Sequence, residues 1–106
     1  MTHSDQAALR GEPSYVWRAG HERRLKMIVA AAPAGGVARA LENGCGLGTY
    51  IPRLRKALGT AHVHGLEYEF QRAAEAGRAY PPSLVVCAAG EELPYPDGVF
   101  DLVLSN

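Results

Sequence analysis

The chain has little with which to staple itself together. Its 106 residues include two cysteines, Cys45 and Cys87, 42 positions apart and in no CxxC pair, which speaks against a disulfide framework and against metal binding. No charge of one sign dominates either. Eleven Lys and Arg against eleven Asp and Glu give a formal net charge of zero, so nothing in the bulk balance draws the chain to nucleic acid or to an anionic membrane. Long hydrophobic runs are absent: the longest, Met27 to Ala32, falls far short of the ~20 residues that span a bilayer, and no membrane insertion is expected. There is no internal repeat, no low-complexity tract and no secretory segment, and the expected setting is a reduced cytoplasm. At this length the chain has room for one small domain.

What is present alternates between strand-like and helical patterns. Residues 1–13 are polar, with Gly11 and Pro13, and read as a leader. From Tyr15 to Ala32, the residues Trp17, His21, Leu25, Ile28, Val29 and Ala32 share one face at helical spacing, with Pro33 closing the run. The cluster Arg18, His21, Arg23, Arg24 and Lys26 reads as the solvated side of that helix. Val37 to Leu41 gives a first strand. Tyr50, Ile51, Leu54 and Leu58 mark a helix that tolerates Pro52 in its first turn and ends at Gly59. His62 to Glu67 is a second strand, Phe70 to about Ala76 a helix stopped near Gly77, Ser83 to Cys87 a third strand and Phe100 to Leu104 a fourth. Pro94, Pro96 and Asp97-Gly98 form the turn ahead of it. Such alternation calls for a mostly parallel sheet with right-handed crossovers, an α/β fold.

The most informative stretch is Glu42-Asn-Gly44-Cys45-Gly46-Leu-Gly48. An apolar run ends in a carboxylate and is followed by three alternating glycines, where the backbone can take unusual dihedrals and a ligand can lie directly on the main chain. A dinucleotide fingerprint would put its third glycine where Thr49 stands, so a nicotinamide cofactor fits this spacing poorly. The second strand also ends in a carboxylate, Glu67, 21 residues beyond Gly46, about the distance to an acidic residue that grips a ribose. Glu67 or Glu69 could instead favour the start of the next helix through its dipole.

The loop Glu42–Gly48, with the run Gly90-Glu91-Glu92-Leu93-Pro94-Tyr95-Pro96-Asp97-Gly98-Val99-Phe100-Asp101-Leu102-Val103, resembles the D/E-x-G-x-G-x-G and A-E-x-L-P-F-x-D-x-x-F-D-x-V segments of class I S-adenosylmethionine-dependent methyltransferases of the small-molecule, type-11-like branch. The resemblance runs from about Val37 to Asn106, with its parts in the family's order. It implies a Rossmann-like doubly wound sheet of order 3-2-1-4, with residues 14–106 as the N-terminal part of one S-adenosylmethionine-binding domain. A last strand with no turn or cap after it also points to a longer enzyme, since it would leave an unpaired edge.

The cofactor implied is S-adenosyl-L-methionine, and the acceptor a small or lipid-like molecule. Gly44, Cys45, Gly46 and Gly48 would form the cradle, with Glu42 attracting the ammonium. Glu67 would accept from the ribose hydroxyls, and Tyr68 would lie against the adenine or simply pack. Gly90 and Glu91 would offer backbone N–H groups to the ring. Asn106 would touch cofactor through its backbone. Ala89 stands where relatives often carry an aspartate for the adenine amino group. Arg18 and His21 are candidates to reach over the site, or to remain on the surface, while His62 and His64 read as structural. The general base and the oligomeric state stay open. The alternative function is a non-catalytic nucleotide-binding or scaffold module of the same fold.

Overall fold

A computed structural model describes residues 17–106; the leader over 1–13 and the start of the first helix at Tyr15 lie outside the described residues. The elements in chain order are α1 (Ala19–Ala31), β1 (Ala40–Asn43), α2 (Ile51–Leu58), β2 (Val63–Glu67), α3 (Phe70–Ala79), β3 (Val85–Cys87) and β4 (Leu102–Ser105). The strands form one sheet in the order β3-β2-β1-β4, and every neighbouring pair is parallel. This is the doubly wound arrangement expected from the resemblance.

Side chains alternate across a strand, and the two faces of this sheet are covered differently. Ala40, Val63 and Leu104 turn to the face where Leu25 of α1 and Ile51 and Leu54 of α2 pack, joined by Val37 and Tyr50. Ile51 and Leu54 are fully buried, each contributing about 2 kcal/mol by leaving water. Tyr50 lies edge-on to Trp17 at 5.0 Å, and Trp17 stacks on His21 at 5.2 Å and carries the Arg53 guanidinium over its ring at 4.1 Å. His21 also accepts the Arg18 N–H, so that histidine is engaged in anchoring the start of α1. Across the opposite face runs the segment 88–101, whose Tyr95 and Phe100 meet edge to face at 4.9 Å. Leu84 and Val103 stay largely exposed.

Several boundaries differ from the sequence expectation, three of them because of partners met in the fold. The first strand starts at Ala40, not Val37, because the Asp101 carboxylate takes the N–H groups of Ala38 and Arg39 at 2.8 and 3.0 Å. The Asp101 N–H in turn donates to the Arg39 carbonyl, and the Arg39 and Ala38 N–H groups on the carboxylate hold the Asp101 carboxyl below the usual aspartate range. The helix begun at Phe70 passes through Gly77 to Ala79; Gly77 faces Val85, so its bareness brings α3 close to β3 and does not end the helix. The third strand contracts to Val85–Cys87, because Leu84 gives its N–H to His64 Nδ1 at 2.9 Å and Ser83 bonds to the Val63 carbonyl and Arg55. The fourth shifts to Leu102–Ser105.

Candidate functional site

β1 and β2 are parallel neighbours, so their carboxyl ends lie on the same side of the sheet, the side where open α/β sheets take ligands. Beyond β1 the chain does not continue outward. The N–H groups of Gly44 and Cys45 both donate to the Leu66 carbonyl, at 2.8 and 3.0 Å, which folds the loop across the tip of β2. Gly44, Gly46 and Gly48 take φ values of +81°, +56° and +81°, a region that side chains rarely enter.

The three glycines are not equivalent. A Cβ on Gly44 would stand 3.0 Å from the Asn106 carbonyl oxygen, and one on Gly48 would stand 3.1 Å from the Tyr80 ring. One on Gly46 would meet nothing within 4 Å among the described residues. Gly44 and Gly48 therefore allow close packing inside the protein, while the bare backbone of Gly46 faces open space.

Glu67 is buried beside it. Oε1 accepts the Gly46 N–H at 3.0 Å and Oε2 accepts the Glu69 N–H at 2.9 Å, which ties the exits of β1 and β2 together. One oxygen thus serves the start of α3, as the helix reading of this carboxylate expects, and the other serves the glycine loop. Each oxygen has two acceptor sites, so each keeps capacity for a further donor.

Glu42, at the end of β1, is fully buried. Its Oε2 accepts from Asn106 Nδ2 at 2.9 Å, and Oε1 has no partner among the described residues. Burial pushes its carboxyl up to about 7, against the pull of the Asn106 hydrogen bond and the Arg24 charge, with Glu67 adding to the rise. Cys45 lies buried between these carboxylates. Its thiol is pushed up to about 12 by burial first and by Glu42 and Glu67 next, so it stays protonated and serves as packing. Its Sγ would be 2.6 Å from a Cβ on Gly65, so β2 needs a glycine there to seat the loop.

Tyr68 is 78% exposed, which leaves its ring free at the tip of β2. Gly90 abuts the Asn43 side chain, 2.8 Å from Oδ1 for an added Cβ, and Glu91 is exposed beside it in a turn closed by the Glu92 N–H on the Ala89 carbonyl. Asn106 extends the β1–β4 pairing by donating its N–H to the Asn43 carbonyl at 2.9 Å. Its side chain does more than its backbone: Oδ1 accepts from Arg24 Nη1 at 2.5 Å while Nδ2 serves Glu42.

Sequence reasoning missed Arg24 and Asn43. Arg24 stood within the basic cluster read as a solvated face, and nothing in the one-dimensional pattern marks it out from Arg23. Asn43 carried the only available signal, its place between the carboxylate and the first glycine.

A methyltransferase-domain profile matches residues 41–106. No curated protein matches the chain. Among solved structures, CalS10, an amino pentose methyltransferase from Micromonospora echinaspora, superposes with a TM-score of 0.69 at 24% identity, over 100% of this chain and 42% of its own. The sugar N-methyltransferase KedS8 from a Streptoalloteichus species gives 0.67 at 20% identity, over 100% and 40%. A TehB-like S-adenosylmethionine-dependent methyltransferase from Corynebacterium glutamicum gives 0.63 at 25% identity, over 96% and 50%. The chain spans half or less of the length of each of these proteins. The profile covers most of the sheet and the whole glycine loop, and with it the chain belongs to the S-adenosylmethionine-dependent methyltransferase family.

Proposed function

We propose that this chain binds S-adenosyl-L-methionine at the joined exits of β1 and β2 and supplies the cofactor-binding part of an enzyme that methylates a small-molecule or lipid-like acceptor. The observation that carries this reading is the pairing of open backbone at Gly46 with the buried carboxylate of Glu67 bonded to it.

The residues present suit the parts of that cofactor. Glu42 has a buried oxygen with no donor among the described residues, which fits an ammonium group. Glu67 retains acceptor capacity for the two hydroxyls of a ribose. Tyr68 is free to lie against the adenine, and Gly90 and Glu91 offer backbone N–H groups near the Asn43 end of β1. Bound there, the cofactor supplies a methyl group already activated by its positive sulfur. The protein's share of the work is then to position the donor and exclude water.

Calorimetric titration with S-adenosylhomocysteine tests the proposal. Binding should be present in the wild-type protein and lost in Glu67→Ala and in Gly46→Val; preferential binding of NAD would overturn it. Assays for methyl transfer start from sugars, since CalS10 is named an amino pentose methyltransferase and KedS8 a sugar N-methyltransferase.

A further inference from the structure

We propose that Arg24 is a positioning residue that acts through Asn106 to hold Glu42 as an ionised acceptor for the cofactor's ammonium, linking the first helix to the binding site. This rests on the reading of the site as an S-adenosylmethionine cradle.

The inference follows from the donor and acceptor chemistry of three side chains in a row. A guanidinium carries only donors. Arg24 Nη1, on α1, therefore fixes the amide oxygen of Asn106 toward itself at 2.5 Å. The amide is two-ended, so its NH2 group is turned the other way, onto Glu42 Oε2 at 2.9 Å. Without the guanidinium the amide is free to rotate and present its oxygen to the carboxylate, which repels an ionised Glu42. Arg24 thus sets the sense of the amide and passes the influence of its positive charge to a buried group it does not touch.

The other end of Glu42 shows what is missing. Oε1 is buried with no partner among the described residues. A buried carboxylate with one unmatched oxygen is costly when charged, and burial accordingly pushes Glu42 up to about 7. The groups that bear on it are Asn106 and Arg24, which favour the charged form, and Glu67, which opposes it; Cys45, in the loop above, stays neutral. A cationic ligand group is the natural complement to the free oxygen, and the ionised form is the one that receives it.

The test uses Arg24→Met, which keeps much of the stem and removes the charge, and Arg24→Lys, which restores charge as a compact ammonium without the planar fork. In the ligand-free protein, the carbon-13 shift of the Glu42 side-chain carboxyl is followed against pH. The midpoint should rise by about one pH unit in Arg24→Met and by less in Arg24→Lys. S-adenosylhomocysteine affinity at pH 7 should fall about fivefold in Arg24→Met and recover toward the wild-type value by about pH 8.5. An unmoved Glu42 midpoint, or a loss of affinity by the same factor at every pH, overturns the positioning role. A shifted midpoint with no S-adenosylhomocysteine binding in any variant, wild type included, leaves the relay standing and removes the cofactor reading instead.

Discussion

The tips of β1 and β2 each end in a buried carboxylate, and the fold treats the two in opposite ways. Glu67 is satisfied on both oxygens by backbone N–H groups, so it is part of the architecture before any ligand arrives. Glu42 is held on one oxygen by a side-chain amide and, among the described residues, left bare on the other. Backbone donors are fixed by the chain path and cost nothing further to orient, whereas a side-chain partner must itself be held. Glu67 is therefore a brace that keeps acceptor capacity, and Glu42 is a buried acceptor that weakens the ligand-free protein.

Removing the brace should have the largest effect. Glu67→Ala abolishes two charge-assisted hydrogen bonds and leaves the Gly46 and Glu69 N–H groups without partners, at a cost of about 4 kcal/mol; urea denaturation would show it, and a loss below about 1 kcal/mol would erase the distinction drawn between the tips.

Glu42→Gln should act in the other direction. Because the folded-state value of Glu42 is raised from 4.5 to about 7, the native protein keeps a proton that the unfolded chain has already released, and stability falls as pH rises through that window. Glutamine escapes the penalty. The ligand-free variant should match wild type near pH 4 and exceed it by roughly 3 kcal/mol at pH 8, while binding S-adenosylhomocysteine more weakly. Equal stability of the two proteins at pH 8 would mean that Glu42 carries no such burden.

The glycines sharpen the same contrast on a smaller scale. Gly65→Ala drives a Cβ to within 2.6 Å of Cys45 Sγ, an overpacking expected to cost about 2 kcal/mol. Part of that loss should return in a Cys45→Ala, Gly65→Ala double variant, and a strictly additive pair would refute the contact. Gly46→Ala meets no neighbour within 4 Å among the described residues and should cost only about 1 kcal/mol for its left-handed dihedral, yet reduce S-adenosylhomocysteine affinity sharply. Thermal melts alongside calorimetry separate those two quantities.

Much of this fold was legible in the sequence because its signals are local. The glycine loop, the left-handed Gly59 that ends α2 and the carboxylates ending β1 and β2 are each written in a few adjacent residues. The strand order rested on the family resemblance, since order is a long-range property that periodicity does not carry. What remained hidden depends on partners far apart in the chain. Asp101 delays the first strand from 62 residues away, Tyr80 decides what Gly48 is for, and Arg24 reaches Asn106 across 82 residues. No spacing rule marks such pairs. Gly77 misled for a related reason: the same residue type that ends a helix also permits close approach to a strand, and only Val85 opposite it decides between them.

The bonds around Asp101 have one more consequence. They fasten the seam between β1 and β4 at its beginning, as Asn106 and Asn43 fasten it at its end. The far margin of the sheet is a strand of three partly exposed residues, Val85–Cys87. Amide protons should therefore exchange first along β3 and last along β1, so that in a partly opened molecule the glycine loop's own strand outlives the neighbours that flank it.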